Sequence, residues 1–419
     1  MHKRGSCEIL ELSTRHSVTY ELVKKQQEPT VTMSSPVAPP PEPRSLPSPP
    51  TDGITALCYL PSSSLIASSS WDGSIRVHET TKDNAQLVTQ RQMEGGPLLS
   101  VATAAADADP PSVTPSQSET GDGGSSISTG AIVYAGGMDG SVRKLDIDAS
   151  TSGVIGYHGT GAGNEKCAVS CLCTVPLGPG AGGGHLVVSA GWDGSLNIWD
   201  ARTEQKDPAV SLKLPGKAFS MDLTTANLGG GDGNVIGRVV VATAGRRTCI
   251  YDVSVADNGA ISATLRLERE SSLKYQTRRV KFFHDGTGLA LGSIEGRVAI
   301  EYLEELGLDS GGKKKYAFKC HRVAETVYPV NAIAFHPTLG TFATGGCDGT
   351  VVTWDGRNKK KLTSIPKFPT SVAAMTFNAD GSELAIASSY TFEEGEREHP
   401  RDEIYIREML NYEVKPKSK

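Results

Sequence analysis

Arg278, Arg297 and Lys319 are the residues of this chain whose chemistry most plainly asks for a partner. Arg278 stands just ahead of Val280-Lys281-Phe282, Arg297 follows the turn Glu295-Gly296, and Lys319 lies between Phe318 and Cys320. Glu295 is the one carboxylate within these words. Brought to one face, the three cations would hold a glutamate side chain or a phosphate through charge-assisted hydrogen bonds, the arginines with a two-pronged grip. Taken singly, each would more often be a solvated cation or half of an internal ion pair. Arg278 shares the parity of the apolar residues after it, which predicts a position at the inner end of a strand rather than on an outer rim. Trp71 and Trp192 offer a second chemistry. Both stand in turns, where a large ring anchors a peptide at little entropic cost, the alternative being packing between neighbouring sheets. Trp199 and Trp354 fall at strand ends and read as packing residues. The run Lys313-Lys314-Lys315 reads as a solvated loop that adds long-range attraction for an anion, with Arg246 and Arg247 intermediate between the two roles.

These residues belong to a unit that recurs seven times: an apolar strand, a tight turn carrying Asp or Gly, then an alternating strand that often ends in Trp-Asp. Four copies are clear, around Trp71-Asp72-Gly73, Met138-Asp139-Gly140, Trp192-Asp193-Gly194 and Cys347-Asp348-Gly349. Three are weaker, at Ala244 to Asp252, Ser293 to Tyr302 and Ile404 to Arg407. The spacing is roughly fifty residues, which with four strands per unit is similar to WD40-type propellers. The expected fold is therefore all-β, a seven-bladed WD40 β-propeller. One such sheet buries only part of its apolar surface, so the blades must stack and close into a ring before a core exists. An unclosed ring would leave an edge open to association, so closure by a strand from outside the last repeat is expected, with Ile54 to Tyr59 and Ile404 to Arg407 as neighbours and a monomer as the product.

The bulk properties agree. The chain has 419 residues and a net charge of -5, so no general attraction to nucleic acid is built into it. No apolar run approaches the roughly 20 residues of a spanning helix, and Met1-His2-Lys3-Arg4 is not followed by a hydrophobic signal segment. The expected setting is nuclear or cytosolic. Eight cysteines without ligand spacing read as buried small hydrophobes, not as a zinc site or disulfide framework. Catalysis finds no support: Asp72, Asp139, Asp193 and Asp348 recur once per unit, which is the pattern of a turn-stabilising residue, and no Ser-His-Asp spacing or phosphate-binding glycine loop is present. No cofactor and no metal are expected.

Composition divides the chain into a Pro/Ser-rich leader over 1–51, too poor in apolar residues to order itself, a propeller over 52–409 and a short basic tail over 410–419. Swollen loops are expected near 104–130, 176–184 and 228–237. Met33 stands inside the leader as a possible second start of translation.

Longer words carry a closer likeness. Arg269 to Arg278 (RESSLKYQTR), Ser293 to Tyr302 (SIEGRVAIEY), Lys313 to Arg322 (KKKYAFKCHR) and Tyr328 to His336 (YPVNAIAFH) closely resemble the WD-repeat member of the Bub family of mitotic checkpoint proteins. The likeness runs from about Asp52 to the tail. It departs from the family in the leader and in the swollen loops. What it implies is a nuclear, kinetochore-bound adaptor with two ligands on one face: the helical GLEBS peptide of checkpoint kinases or kinase-like proteins, and a phosphorylated Met-Glu-Leu-Thr repeat of a kinetochore scaffold. Carried onto this sequence, Trp71, Trp192 and Arg278 would meet the GLEBS peptide, and Arg297 and Lys319 the phosphothreonine. No membrane and no direct nucleic acid are implied. The alternative is the related nuclear mRNA-export propeller, which binds a GLEBS peptide of a nucleoporin, but the words Ser271 to Arg278 and Tyr316 to Arg322 match the checkpoint branch better.

Overall fold

The Asp-Gly turn is the local device from which the structure is built. In a computed structural model that describes residues 41–105, 130–159, 166–178, 184–228 and 234–417, each clear copy places its glycine at positive φ, as at Gly73 (φ 76°) and Gly194 (φ 71°). The aspartate then accepts from the backbone two residues on: Ser74 N–H to Asp72 at 2.9 Å, Ser195 N–H to Asp193 at 3.0 Å and Thr350 N–H to Asp348 at 3.1 Å. The turn reverses the chain and starts the next antiparallel strand.

Seven four-stranded antiparallel sheets result. Their innermost strands are Ile54–Tyr59, Leu98–Ala105, Val169–Pro176, Ala218–Thr224, Thr277–Phe282, Val330–Phe335 and Val372–Phe377, here blades 1 to 7. Each inner strand touches the next, and the seventh touches the first, so the ring is closed around a channel. The middle strands are covered by sheets on both sides: Leu65–Ser70 and His185–Gly191 are buried along their whole length. Outer strands keep a wet face, as in Ile261–Glu270.

Closure differs from the expectation. The outer strand of blade 7 is Arg44–Ser45, paired to Ile406 and Tyr405, not the Ile54–Tyr59 strand, which is the inner strand of blade 1. Described structure therefore begins within the stretch assigned to the leader. The reason is physical: Leu46, 1% exposed, fills a cluster with Ile54, Ile66, Ile404 and Ile406, while Arg44 pairs with Glu383 at 2.8 Å. After Glu408 the chain leaves this edge. Its short helix Asn411–Val414 docks on blade 6, where Thr341 Oγ1 donates to the Val414 carbonyl at 2.7 Å and Arg407 meets Glu413 at 2.7 Å, both buried. The slot beside the last repeat is thus left for the N-terminal segment, and the basic tail is anchored by a buried ion pair. Residues 1–40, Met33 and most of the three swollen loops lie outside the described residues.

One irregularity recurs in every blade. Near the start of each inner strand the ladder skips a residue, leaving Thr55, Leu99, Ser170, Phe219, Arg278, Asn331 and Ala373 unopposed. A bulge of this kind breaks the alternation of faces and re-aims the extra side chain.

Candidate functional site: a cleft at the turn-side mouth of the channel

The seven bulged residues all line one mouth of the channel, a space of about 370 Å³. It opens beside a wider cleft of about 620 Å³ walled by Trp71, Trp192, Tyr390, Phe392 and Arg278. The three residues expected to meet a peptide therefore share one surface. Arg278 does not follow the parity of the strand as expected, because Val280 of the same parity is buried while Arg278 is exposed. The bulge between Thr277 and Arg279, not the strand alternation, turns it out into the mouth. Its Nε donates to Asn331 Oδ1 at 2.5 Å, and no carboxylate lies within ion-pair distance of it among the described residues. Asn331 is itself a bulged residue, buried and held by contacts to Cys347 and Thr391.

The turn after each second strand supplies the aromatic wall. Trp71, Met138, Trp192 and Ile294 are equivalent, each donating its backbone N–H to the residue or two before an inner strand, as Trp71 does to the Gly53 carbonyl and Trp192 to the Ala168 carbonyl, both at 2.9 Å. Trp71 is 43% exposed, Met138 38% and Ile294 41%. Trp192 is more covered, and its indole N–H has no acceptor among the described residues. Phe219 at a bulge and Phe392 in the blade 7 turn extend the apolar surface. Of these, Met138, Ile294, Phe219, Tyr390 and Phe392 were not singled out in the sequence. The position of Met138 and Ile294 directly before the turn acid, the same as that of Trp71 and Trp192, was the available signal.

Arg297 and Lys319 stand opposite one another in the two outer strands of blade 5. They line neither of the two openings, whereas Arg278 lines both. Glu295 lies 3.7 Å from Arg297 and 3.9 Å from Arg322, whose guanidinium also donates to the Glu295 carbonyl oxygen at 3.0 Å. Two arginines thus share one carboxylate at long range, and Lys319, opposite Arg297, is exposed. Arg322 closes the word Lys313 to Arg322, and its approach to Glu295 becomes visible only in the fold. Lys313-Lys314-Lys315 lies in the loop after Tyr302, at the end of the blade away from this face, whereas Arg246 and Arg247 are paired with Glu270 and Glu268.

Two arrangements mimic a catalytic triad. Asp193 contacts His158 Nδ1 at 3.2 Å, and His158 Nε2 contacts Ser189 Oγ at 2.7 Å. Ser189 also accepts from Trp199 Nε1 at 2.7 Å, and both His158 and Ser189 are shielded from solvent. Blade 6 repeats this with Asp348, His321, Thr344 and Trp354. Burial works to raise the carboxyl pKa of Asp193, but hydrogen bonds from His158 and Ser195 outweigh it and hold the value down at about 2. In blades 1 and 2 an arginine takes the place of the histidine, Arg76 with Asp72 at 2.7 Å and Arg143 with Asp139 at 2.8 Å. Among the described residues no group of histidine, cysteine or acidic side chains has the geometry of a metal site, and no helix is long and apolar enough to cross a membrane.

Seven antiparallel blades, paired Asp-Gly turns and the buried His–Asp–Ser/Thr–Trp networks define a seven-bladed WD40 propeller with an aromatic cleft at one mouth. The WD domain, G-beta repeat model matches residues 42–79, 159–200 and 312–355. The chain is 36% identical to the mitotic checkpoint protein bub3 of Dictyostelium discoideum, covering 87% of this chain and 94% of that one. It is 38% identical to mitotic checkpoint protein BUB3.1 of Arabidopsis thaliana, covering 90% and 95%. The poly(A)+ RNA export protein of Schizosaccharomyces pombe is 29% identical over 88% and 92%. Among solved structures, U3-55K matches with a TM-score of 0.61 at 14% identity, covering 88% of this chain and 98% of that one, a likeness of fold alone. The chain belongs to the Bub3 family of mitotic checkpoint proteins.

Proposed function

We propose that the protein is a non-catalytic adaptor of the spindle assembly checkpoint, working in the nucleus and at kinetochores in mitosis. The aromatic cleft takes a helical GLEBS-type peptide of a checkpoint kinase, and the Arg297–Lys319 patch takes the phosphothreonine of a Met-Glu-Leu-Thr repeat. The observation that carries the reading is the convergence of Trp71, Trp192 and Arg278 on one cleft of about 620 Å³. Apolar walls with one unpaired guanidinium suit an amphipathic helix that presents a glutamate. The buried Ser189–His158–Asp193 and Thr344–His321–Asp348 networks support a non-catalytic role, because each hydroxyl is shielded and already accepts from an indole. The export reading rests on the 29% identity to an RNA export protein, against 34–38% for the checkpoint relatives.

The test is titration of a GLEBS-type peptide into the wild type and Arg278→Glu. Charge reversal is expected to weaken binding by about 2–5 kcal/mol with the melting temperature unchanged. Equal affinity at equal stability removes Arg278 from the site. Affinity capture from mitotic cells separates the two readings: checkpoint kinases support the first, nuclear pore proteins the second.

A further inference from the structure

Below the mouth the channel continues as a chamber of about 280 Å³ lined by the inner strands. Two cations of blade 5, Arg279 and Lys281, line it, with Asp222 of blade 4. Lys281 is satisfied: its Nζ meets Asp222 Oδ1 at 2.7 Å, and the other Asp222 oxygen accepts from the Phe282 N–H at 2.8 Å. Arg279 is not. It makes no hydrogen bond or ion pair with any described residue, and its Nε is sealed from solvent without an acceptor. The hydroxyls nearby are spent on backbone carbonyls, Thr55 on Leu98, Ser170 on Ala218 and Thr174 on Thr103. The thiols are neutral, since burial pushes Cys171 up to about 11. Arg279 and Lys281 against Asp222 leave one net positive charge facing the channel.

A guanidinium out of bulk water with no counter-charge costs several kcal/mol unless something supplies one. Five fixed N–H donors in a plane match the edge of a tetrahedral oxyanion. The chamber has room for such an ion and several waters, each taking about 30 Å³.

We propose that the channel is an oxyanion site in which a free tetrahedral anion of the phosphate class sits against Arg279, with Lys281 as the second charge. This is separate from the peptide cleft at Arg278 and does not depend on it. The two adjacent arginines then divide their work, one turned out at the bulge toward a peptide and the other turned into the channel toward a small ion.

The experiment uses the full chain and inorganic phosphate. Melting temperature is followed against phosphate concentration, with chloride added to hold ionic strength constant, for the wild type, Arg279→Gln and Arg279→Met. Phosphorus-31 line broadening of phosphate by the wild type gives a second readout that needs no variant. The expected result is a saturable rise in the wild-type melting temperature and a broadened phosphate line, with affinity weakened about tenfold or more in Arg279→Gln. In chloride alone, Arg279→Met is expected to melt no lower than the wild type, because it removes an uncompensated charge. A wild type that shows neither a saturable rise nor broadening overturns the proposal. So does an equal rise in all three proteins, and so does an Arg279→Gln variant that weakens peptide binding while responding to phosphate as the wild type does.

Discussion

Blades 3 and 5 are built on the same four-stranded plan and spend their polar residues in opposite ways. In blade 3 the turn acid Asp193 is tied to His158, the histidine to Ser189, and the serine to Trp199, so every group in the chain of contacts is buried and matched. In blade 5 the residue after the turn glycine is Arg297 where blade 3 has Ser195, and the fifth residue of that strand is Glu301 where blade 3 has Trp199. Glu301 turns to the incoming loop, accepting from Ser272 N–H and Oγ at 3.0 and 2.6 Å and meeting Arg269 at 2.8 Å. Glu295 is left to serve both Arg297 and Arg322 at long range, and among the described residues Arg278 has only an amide for company. A satisfied network stabilises its own blade and has nothing to offer a ligand. An under-matched set of cations contributes less to the fold and is held ready for an anion from outside.

The largest break in this comparison comes from Trp199→Ala. Trp199 is 2% exposed and closes the blade 3 network, so its loss is expected to cost about 3–5 kcal/mol in denaturant unfolding while the folded fraction binds peptide as before. Loss of peptide affinity in the folded fraction would show that the two blades are not independent. The mirror experiment is Arg297→Ala with Lys319→Ala. It is expected to remove about 1.5–3 kcal/mol of preference for a phosphorylated over a plain Met-Glu-Leu-Thr peptide, at unchanged stability and with largely intact GLEBS binding. Wild-type preference should also fall as salt rises, because both cations are partly open to solvent. An identical preference in the two proteins sinks the phosphate assignment.

A finer test is Asn331→Ala. The amide fixes Arg278 through one hydrogen bond, so peptide affinity is expected to drop by about 0.5–1.5 kcal/mol, less than for charge reversal at Arg278 itself. Acid gives the smallest effect. Asp193 and Asp348 both have folded pKa values below the ordinary carboxylate value, opposed by burial but held down by their histidines and turn hydrogen bonds. The contribution of Asp193 is present above about pH 4 and is lost as pH falls toward 2, and that of Asp348 is lost in the same direction. Chemical denaturation across that range should show the loss in the wild type. If Asp193→Asn lost as much between pH 4 and pH 2, the Asp193–His158 contact would not be its source.

The repeats, the all-β class and the structural role of the turn aspartates were legible in the sequence because they rest on contacts two residues apart. A carboxylate that accepts from the second N–H onward needs no knowledge of the rest of the chain. The same locality marked Trp71 and Trp192, which sit directly before a turn acid. Arg278 was placed at the inner end of its strand for an incomplete reason, since the alternation is broken by a bulge that nothing in Gln276-Thr277-Arg278-Arg279 announces. The histidine networks were missed because His158 and His321 come from the strand before and act on the following blade, and closure by Arg44–Ser45 was missed because its partners lie more than 350 residues away.

By itself, then, the sequence determined the number and kind of repeating units and the local geometry of each turn. Only the tertiary structure decided which side chains of different blades meet: that Trp71, Trp192 and Arg278 share a cleft, and that Arg279 faces the channel with no partner among the described residues. A propeller places its function at the common axis of seven units, and an axis is defined only when the ring has closed.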